Sequence, residues 1–289
     1  MPPFYPGIAP LSPYYDGFIL DVWGVIHDGV ALFAGVADCL DRLARSGKRF
    51  CMLTNAPRRA YAVAKAMQTM GLPEPFTRDI VTSGEACHEA LKSRTDPWFA
   101  RLGSRCLHIG PERDLSLLDG LNLTLTKNPA EADFIVNTGP WRDEETVADY
   151  EPLLAACAGR RLPMICANPD LAVIRGGKRI ICAGALARRY EELGGDVRDY
   201  GKPHPAIYDV CLRRLGISDR ARVLAVGDSL RTDIAGAEAA GIPAALVLGG
   251  LHADEFGATA GQHADLAKVA AAATAANVHP AALVPALVW

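Results

Sequence analysis

The sequence predicts an α/β protein, a doubly wound parallel sheet with flanking helices into which a second α/β unit is inserted. Short runs rich in β-branched residues alternate with longer helical patterns, which is typical of parallel strands joined by crossover helices. Both ends of the 289-residue chain show this alternation, whereas the middle is less regular. We therefore expect a core domain formed by residues 1–84 and 199–289, with the insertion at 85–198.

The first third of the chain supplies three strand–helix pairs. Each strand is a short apolar run that ends in polar residues, and the helices follow with apolar residues at helical spacing or a glycine at their end. The predicted strands are GFILDV, KRFCMLTN and DIVTSG, and the predicted helices are FAGVADCLDRLARSG, APRRAYAVAKAMQTMG and EACHEALKS.

The last third repeats this order, and the middle adds a second set of elements. HPAIYDVCLRRLG is a helix that opens with Pro205, RVLAVGDS a strand, TDIAGAEAAG a helix and IPAALVLGG a final strand. The Ala-rich AKVAAAATAANV predicts a peripheral helix. The middle strands are RCLHIG, ADFIVNTG, LPMICAN and GKRIICAG, and the middle helices are EETVADYEPLLAACAG and ALARRYEELGG.

The composition is that of an ordinary globular protein. Half of the residues are hydrophobic and 22% are charged, and a net charge of -3 gives no reason to expect nucleic acid or an anionic membrane as partner. We expect neither a secretory signal in residues 1–15 nor a membrane-spanning helix. The eight cysteines show no C-x-x-C and no zinc spacing, so we interpret them as reduced core residues of a cytoplasmic protein.

Polar residues stand where the predicted strands end. Because ligands bind beyond the carboxyl ends of strands in a doubly wound sheet, we expect these side chains to share one site. Singly, each has a structural explanation: a helix cap for the acids, a turn for the Thr-Asn pair, a surface position for the lysine. Their combination is harder to explain in that way. The residues are Asp21, Thr54, Asn55, Lys202, Asp228 and Asp233.

These residue types suit phosphoryl transfer. A carboxylate such as Asp21 can attack phosphorus and divide one hydrolysis into two easier steps. Bare acids would repel a phosphate dianion, so we expect Mg²⁺, held by Asp21 and Asp228, to lie between them. Thr54, Asn55 and Lys202 would hold the phosphoryl oxygens and stabilise the charge that spreads over them in the transition state.

Four segments in this order, DVWGV, LTNAPR, GKPHP and VGDSLRTDIAGA, resemble the motifs of the haloacid dehalogenase (HAD) superfamily, most closely its class IIA, NagD-like branch. The likeness extends over most of the chain. It implies a Rossmann-like core, an inserted α/β (C2-type) cap at 85–198, Mg²⁺ as cofactor, and phosphatase activity on a small phosphorylated metabolite of the sugar or nucleotide class.

The resemblance also implies a role for each site residue. Asp21 would be the nucleophile and a metal ligand, Lys202 the third-motif lysine, and Asp228 the second acidic metal ligand. Thr54 and Asn55 match the phosphate-binding second motif. The backbone carbonyl of Trp23 would be a further metal ligand, and Asp233 would orient the water around the metal.

Trp23 departs from the family pattern. Most of these phosphatases have a second Asp there, which protonates the leaving oxygen and then activates water, and an indole can do neither. General acid–base catalysis contributes about 10²–10⁴ in rate, so we expect a slow enzyme. Substrates with good leaving groups would need less protonation, and His27, Asp28 or Glu85 could substitute for the missing acid.

Other interpretations of the sequence bear on function, cap contacts and assembly. A protein that binds phosphorylated ligands without turnover would fit the same motifs. The string VGDSL is similar to that of GDSL esterases, but no Asp-x-x-His follows it, and Ser229 is better explained as a turn residue. The segments NPD at 168–170 and IRGGK at 174–178 are candidate cap-side contacts, although loop structure also explains them. A homodimer is possible.

Overall fold

The computed structural model describes residues 2–258 and 264–289, and these contain thirteen strands and ten α-helices. The strands are β1 Gly17–Asp21, β2 Arg49–Thr54, β3 Ile80–Thr82, β4 Arg105–Ile109, β5 Thr124–Thr126, β6 Phe134–Asn137, β7 Met164–Cys166, β8 Ala172–Arg175, β9 Lys178–Ile181, β10 Val197–Asp199, β11 Val223–Gly227, β12 Ala244–Val247 and β13 Ala282–Val284. The helices are α1 Val36–Arg45, α2 Ala60–Thr69, α3 Ser83–Ser93, α4 Pro97–Ala100, α5 Glu151–Gly159, α6 Ala183–Glu192, α7 Pro205–Leu215, α8 Ala235–Ala239, α9 Ala253–Phe256 and α10 Leu266–Ala275.

The first sheet has six parallel strands in the order β13-β12-β11-β1-β2-β3. β1 lies at its centre, with β2 on one side and β11 on the other. The chain leaves β1 towards β2 and leaves β11 towards β12, so the direction of winding changes between β1 and β11. A crevice opens at the carboxyl ends of the strands at such a point. The predicted doubly wound Rossmann-like sheet is confirmed.

Both faces of this sheet are covered, which explains why β1 is apolar at almost every position. Phe18 and Leu20 pack on the side of α1 and α2. Ile19 points to the opposite face, where α7, α8 and α10 contribute the apolar side chains. A strand buried on both faces cannot show the alternation of a half-exposed strand. Its one charged residue, Asp21, is therefore at its end.

The second sheet has five parallel strands in the order β10-β7-β6-β4-β5, and it lies within residues 105–199. One face packs on α5 and α6 and the other on α3 and α4. The proposed boundary at 84/85 falls inside α3, which begins at Ser83. Thr82 caps this helix by accepting a hydrogen bond from the Glu85 N–H at 2.9 Å. The division of the chain into core and cap stays a prediction.

Several predicted elements need correction. The strand predicted at 177–184 is present as β9, but its antiparallel partner β8 was not predicted, and the two form a separate two-stranded hairpin. IPAALVLGG is not the final strand, because β13 follows it at the sheet edge. The short strands β5 and β10 were also missed. In the helix predicted for 144–159, only Glu151–Gly159 is α-helical, since Pro152 favours the first turn.

Two expectations about composition can be compared with the structure. All eight cysteines are free and buried, as expected for reduced core residues. Within residues 2–258 and 264–289, no helix combines the length and the apolar character that crossing a bilayer requires.

Candidate active site

Three carboxylates converge at the carboxyl end of the first sheet. Asp21 is the last residue of β1, Asp228 directly follows β11, and Asp233 lies in the single helical turn Leu230–Ile234 that comes next. Each offers an oxygen, and these oxygens lie within 4.8 Å of one another. All three residues are buried. The structure thus brings together acids that come from opposite ends of the chain.

Lys202 closes this cluster with its ammonium group. Nζ donates to Asp21 Oδ1 at 2.5 Å and to Asp233 Oδ1 at 2.6 Å, and the side chain is only 3% exposed. Burial alone would lower the pKa of Lys202, but the negative charges of Asp21 and Asp233 outweigh it and raise that pKa well above its ordinary value. The lysine therefore stays charged and fixes the position of the predicted nucleophile.

One lysine does not balance the acids around it. Burial and the charge of Asp233 raise the pKa of Asp21 well above its usual range, and the same two causes raise the pKa of Asp228 to about 8. To be ionised at neutral pH, such buried carboxylates need a further cation nearby. Clustered carboxylate oxygens are the donors that a hard divalent cation prefers, so these residues fit a divalent metal ion.

Backbone atoms complete the surroundings of Asp228. Leu251 N–H donates to its Oδ2 at 2.7 Å. Gly24 has φ +82°, and a Cβ there would lie 1.8 Å from the same oxygen, while a Cβ on Gly250 would lie 2.2 Å from it. Only glycine allows so close an approach of the main chain. The pair Gly249–Gly250 after β12 was the sequence signal for this contact, and it was missed.

Asp233 has both carboxylate oxygens engaged. Oδ1 accepts from Lys202, and Oδ2 accepts from the Ser229 N–H at 3.0 Å. Ser229 caps the same turn, with Oγ accepting from the Thr232 N–H at 3.3 Å, as expected of a turn residue. Direct coordination by Asp233 would compete with these bonds, and its predicted action through metal-bound water stays a prediction.

Thr54 and Asn55 follow β2 and line the same pocket as Asp21. The Asn55 side chain is already engaged, since Nδ2 donates to the Lys202 carbonyl and to Asp170 while Oδ1 accepts from the Lys202 N–H. Asn55 thus orients the lysine loop, which the sequence did not indicate. Thr54 Oγ1 accepts only a 3.2 Å bond from the Ala56 N–H, so its own proton remains available for a ligand oxygen.

The indole of Trp23 cannot act as a catalytic acid. Its N–H is already used in a hydrogen bond. Nε1 donates to the Ile174 carbonyl at 2.7 Å, across 151 positions in sequence. The contact joins the loop after β1 to the β8–β9 hairpin. The predicted role of the Trp23 carbonyl as a metal ligand stays a prediction.

The structure places the three candidate substitute acids differently. Asp28 reaches the Asp21 pocket; partial burial acts to raise its pKa, but bonds from the Ala31 and Val30 N–H groups outweigh this and lower it. Burial alone would also raise the pKa of Glu85. The hydrogen bond from Arg59 helps to outweigh this, and the pKa of Glu85 is lowered overall. Neither acid holds a proton near neutral pH.

The remaining candidate, His27, is buried, and burial lowers its pKa to about 4. Its Nδ1 accepts the Gly29 N–H at 2.9 Å, which fixes the neutral ring. An uncharged imidazole with its acceptor nitrogen engaged cannot supply the missing proton.

Asp170, from the NPD segment, is a pocket residue that sequence reasoning left among loop contacts. It lines the pocket with Asp21, and its Oδ1 accepts from Asn55 Nδ2 at 3.2 Å. Burial is the main cause of its raised pKa, with the charge of Lys202 opposing and that of Asp233 reinforcing it. Val173, Ile174 and Gly177 line this pocket too, so the IRGGK segment also reaches the site.

Sequence models of two related families match the chain. The model of haloacid dehalogenase-like hydrolases matches residues 18–124, and one described as HAD-hydrolase-like matches residues 199–281. A crystal structure of a haloacid dehalogenase-like hydrolase from Brucella suis 1330 is 37% identical, covers 99% of this chain and 100% of that one, and superimposes with a TM-score of 0.83. The class of protein that this fold and site define is therefore a hydrolase, and the chain belongs to the haloacid dehalogenase-like family.

Two curated relatives indicate the branch of the family. D-glycerol 3-phosphate phosphatase of Mycobacterium tuberculosis is 29% identical over 250 residues, which are 84% of this chain and 65% of that protein. Ribonucleotide monophosphatase NagD of Escherichia coli K12 is 29% identical over 237 residues, 81% of this chain and 87% of that protein. The prediction of a class IIA, NagD-like member is confirmed.

Proposed function

We propose that this chain is a Mg²⁺-dependent phosphatase of small phosphorylated metabolites, of the sugar or nucleotide phosphate class, that works through an aspartyl-phosphate on Asp21. One observation carries the proposal: a buried carboxylate, fixed by Lys202 at 2.5 Å, lies beside two more acids whose charge is not balanced. The relatives that the chain matches over most of its length are phosphatases.

In the proposed reaction, Asp21 attacks phosphorus and expels the alkoxide, which takes its proton from solvent, and water then hydrolyses the acyl phosphate to regenerate the carboxylate. Lys202 and the Thr54 hydroxyl stabilise the negative charge on the phosphoryl oxygens as it spreads. Asp21 and Asp228 would hold Mg²⁺, which would supply positive charge to the phosphate and the acids. Asn55 keeps the Lys202 backbone in place through two hydrogen bonds.

The proposed enzyme is slow. Trp23 has no ionisable proton to give to the leaving oxygen, and the acids Asp28 and Glu85 have lowered pKa values. Loss of general acid–base assistance costs about 10²–10⁴ in rate. Nucleophile, cation and charge stabilisation remain, so esters with acidic alcohols as leaving groups should be the better substrates.

Steady-state release of phosphate tests the proposal. We expect p-nitrophenyl phosphate to be hydrolysed slowly with Mg²⁺ and not with EDTA. Asp21→Asn should abolish release, whereas Asp38→Asn, on the exposed face of α1, should leave it unchanged. Trp23→Asp should raise kcat if only the acid was missing. Equal release by wild type and Asp21→Asn across a panel of phosphate esters would refute the enzyme assignment.

A second candidate function is a protein that binds phosphorylated ligands and barely hydrolyses them. It is favoured by the Trp23 side chain, which replaces the usual acid and is bonded to Ile174. Calorimetry separates the two: Mg²⁺-dependent binding of a phosphate ester that is recovered intact supports the binding protein. The eight buried free cysteines suit a reducing compartment, and we propose a cytoplasmic location for either form.

A further inference from the structure

The β8–β9 hairpin, residues 172–181, forms one wall of the pocket that contains Asp21. Ala172, Val173, Ile174 and Gly177 line that pocket together with the carboxylate. The hairpin belongs to neither large sheet. Its position over Asp21 therefore depends on contacts made by individual side chains.

Trp23 makes one of these contacts from the opposite wall. Its indole N–H donates to the Ile174 carbonyl at 2.7 Å, which is within the range of a good hydrogen bond. The ring lies edge-on to His27, with centroids 5.3 Å apart and planes at 74°. The same indole also lines the neighbouring cavity that contains His27 and Arg175, so it stands between the two chambers.

The hairpin leaves the Ile174 carbonyl available for this bond. Arg175 and Lys178 face each other across Gly176 and Gly177, which have φ +52° and φ +77° and form a two-residue turn. In such a hairpin the pair next to the turn exchanges both hydrogen bonds, and the following pair exchanges none. Ile174, opposite Arg179, is in that following pair, so its carbonyl points away from the ladder.

The loop after β1 is also shaped around the indole. Gly29 has φ +83°, and a Cβ there would lie 2.5 Å from Cη2 and Cζ2 of Trp23. Any larger residue would displace the ring from the hairpin. Among the described residues, one ion pair joins the hairpin to a loop of the second sheet. Arg175 Nη1 lies 2.8 Å from Asp143 Oδ2.

We propose that Trp23 is a positioning residue that fastens the 172–181 hairpin over Asp21 and thereby restricts the site to small esters. The side chain that cannot act as an acid instead forms part of the pocket wall, and this partly open pocket measures about 190 Å³. Pockets for drug-sized ligands are larger, at about 300–1,000 Å³. The restriction on substrate size rests on the proposed phosphatase function, whereas the fastening of the hairpin does not.

Hydrogen exchange of the hairpin tests the fastening without any need for catalysis. Trp23→Phe keeps an aromatic ring and removes the donor, and Trp141→Phe, whose ring stacks on Tyr150 outside the pocket, is the matched control. Loss of one neutral hydrogen bond should shift the closed–open ratio about fivefold. We expect amide exchange in 172–181, and tryptic cleavage after Arg175 or Lys178, to be faster by that factor in Trp23→Phe alone.

Gly29→Ala provides a second variant in which the indole keeps its N–H but is pushed away. It should loosen the same segment. Unchanged exchange of 172–181 in both variants, each with a melting temperature near that of wild type, would overturn the proposal. If either variant is too unstable to assay, the other decides.

Kinetics then test the part that concerns substrates. With p-nitrophenyl phosphate and Mg²⁺, Trp23→Phe should change KM several-fold and kcat less than twofold, and it should hydrolyse bulkier esters relatively better than wild type. A side chain that only fills space would leave this selectivity unchanged, and that result would remove the specificity role. Absence of turnover in every variant would refute the proposed function and leave the exchange result valid.

Discussion

Replacement of Lys202 by methionine is the most direct test of the charge balance in the site. The ammonium is 3% exposed and bonds to Asp21 and Asp233 at 2.5 and 2.6 Å. Methionine has a similar length and no charge. Without the lysine, one further carboxylate must take up a proton on folding, because breaking a buried pair leaves an uncompensated charge.

The size of the effect follows from the pH. Keeping one aspartate protonated at pH 7, against an unfolded pKa near 3.9, costs about 4 kcal/mol, and at pH 5 it costs about 1.5 kcal/mol. The Lys202→Met protein should therefore be less stable than wild type by about these amounts. The deficit shrinks as the pH falls because the acids are then protonated in the unfolded chain too.

Urea unfolding in EDTA at pH 7 and pH 5 measures both values. Lys92→Met, at an exposed position of α3, serves as the control and should change stability by no more than about 0.5 kcal/mol. A Lys202→Met deficit below about 1 kcal/mol at pH 7, or one that does not depend on pH, would show that the lysine does not hold buried charge.

Three further predictions concern the metal, the close glycine and acid sensitivity. Mg²⁺ at a hundred times its dissociation constant should stabilise the protein by about 2.7 kcal/mol, seen as a higher Tm, with no such shift in Asp228→Asn. Gly24→Ala should lose this stabilisation because its Cβ would meet Asp228, whereas Gly47→Ala, at φ +70° with nothing within 4 Å, should keep it. Because burial lowers the pKa of His27 to about 4, the unfolded chain binds a proton between pH 6.5 and 4 that the folded chain does not. The free energy of unfolding should therefore fall by about 3 kcal/mol as the pH drops from 6.5 to 4. Urea unfolding of the His27→Gln protein should show a flatter pH dependence.

The candidate site at the carboxyl end of the first sheet could be predicted from the sequence because its signals are local. GFILD is a buried strand that ends in an acid, and VLAVG is a buried strand that an acid directly follows, so Asp21 and Asp228 had to meet at one edge if the strands were neighbours. The turn that carries Asp233 also has a local signal, because Ser229 directly precedes it and caps it. Here the strand pattern and the residue chemistry indicated the same site.

What the sequence did not reveal depends on contacts between distant segments. The bonds of Trp23 to Ile174 and of Asn55 to Asp170 join residues 151 and 115 positions apart, and no periodicity marks such pairs. β13 was missed for a different reason: three apolar residues between a helix and a proline are too few to show a strand pattern. The strand β8 and its pairing with β9 were missed, although the glycines at 176 and 177 mark a turn between them.

Asp228→Asn offers a final test. The proposed function requires buried acids that lower the stability of the folded protein when no cation is bound. The folded-state pKa of Asp228 is raised to about 8. Below its unfolded pKa the carboxyl is protonated in both the folded and the unfolded chain and costs no stability. As the pH rises towards 8, only the unfolded chain releases the proton, so the stability of the folded protein falls. At pH 7 the cost is about 4 kcal/mol, and asparagine avoids it while still accepting the Leu251 N–H. In EDTA the Asp228→Asn protein should therefore be the more stable at pH 7 and nearly equal to wild type at pH 4. With Mg²⁺ at a hundred times its dissociation constant, the difference should shrink to about 1.3 kcal/mol, because only the carboxylate binds the cation strongly. If Asp228→Asn instead destabilises the metal-free protein at pH 7, the acids carry no unbalanced charge, and the structural reason for placing a cation between them is lost.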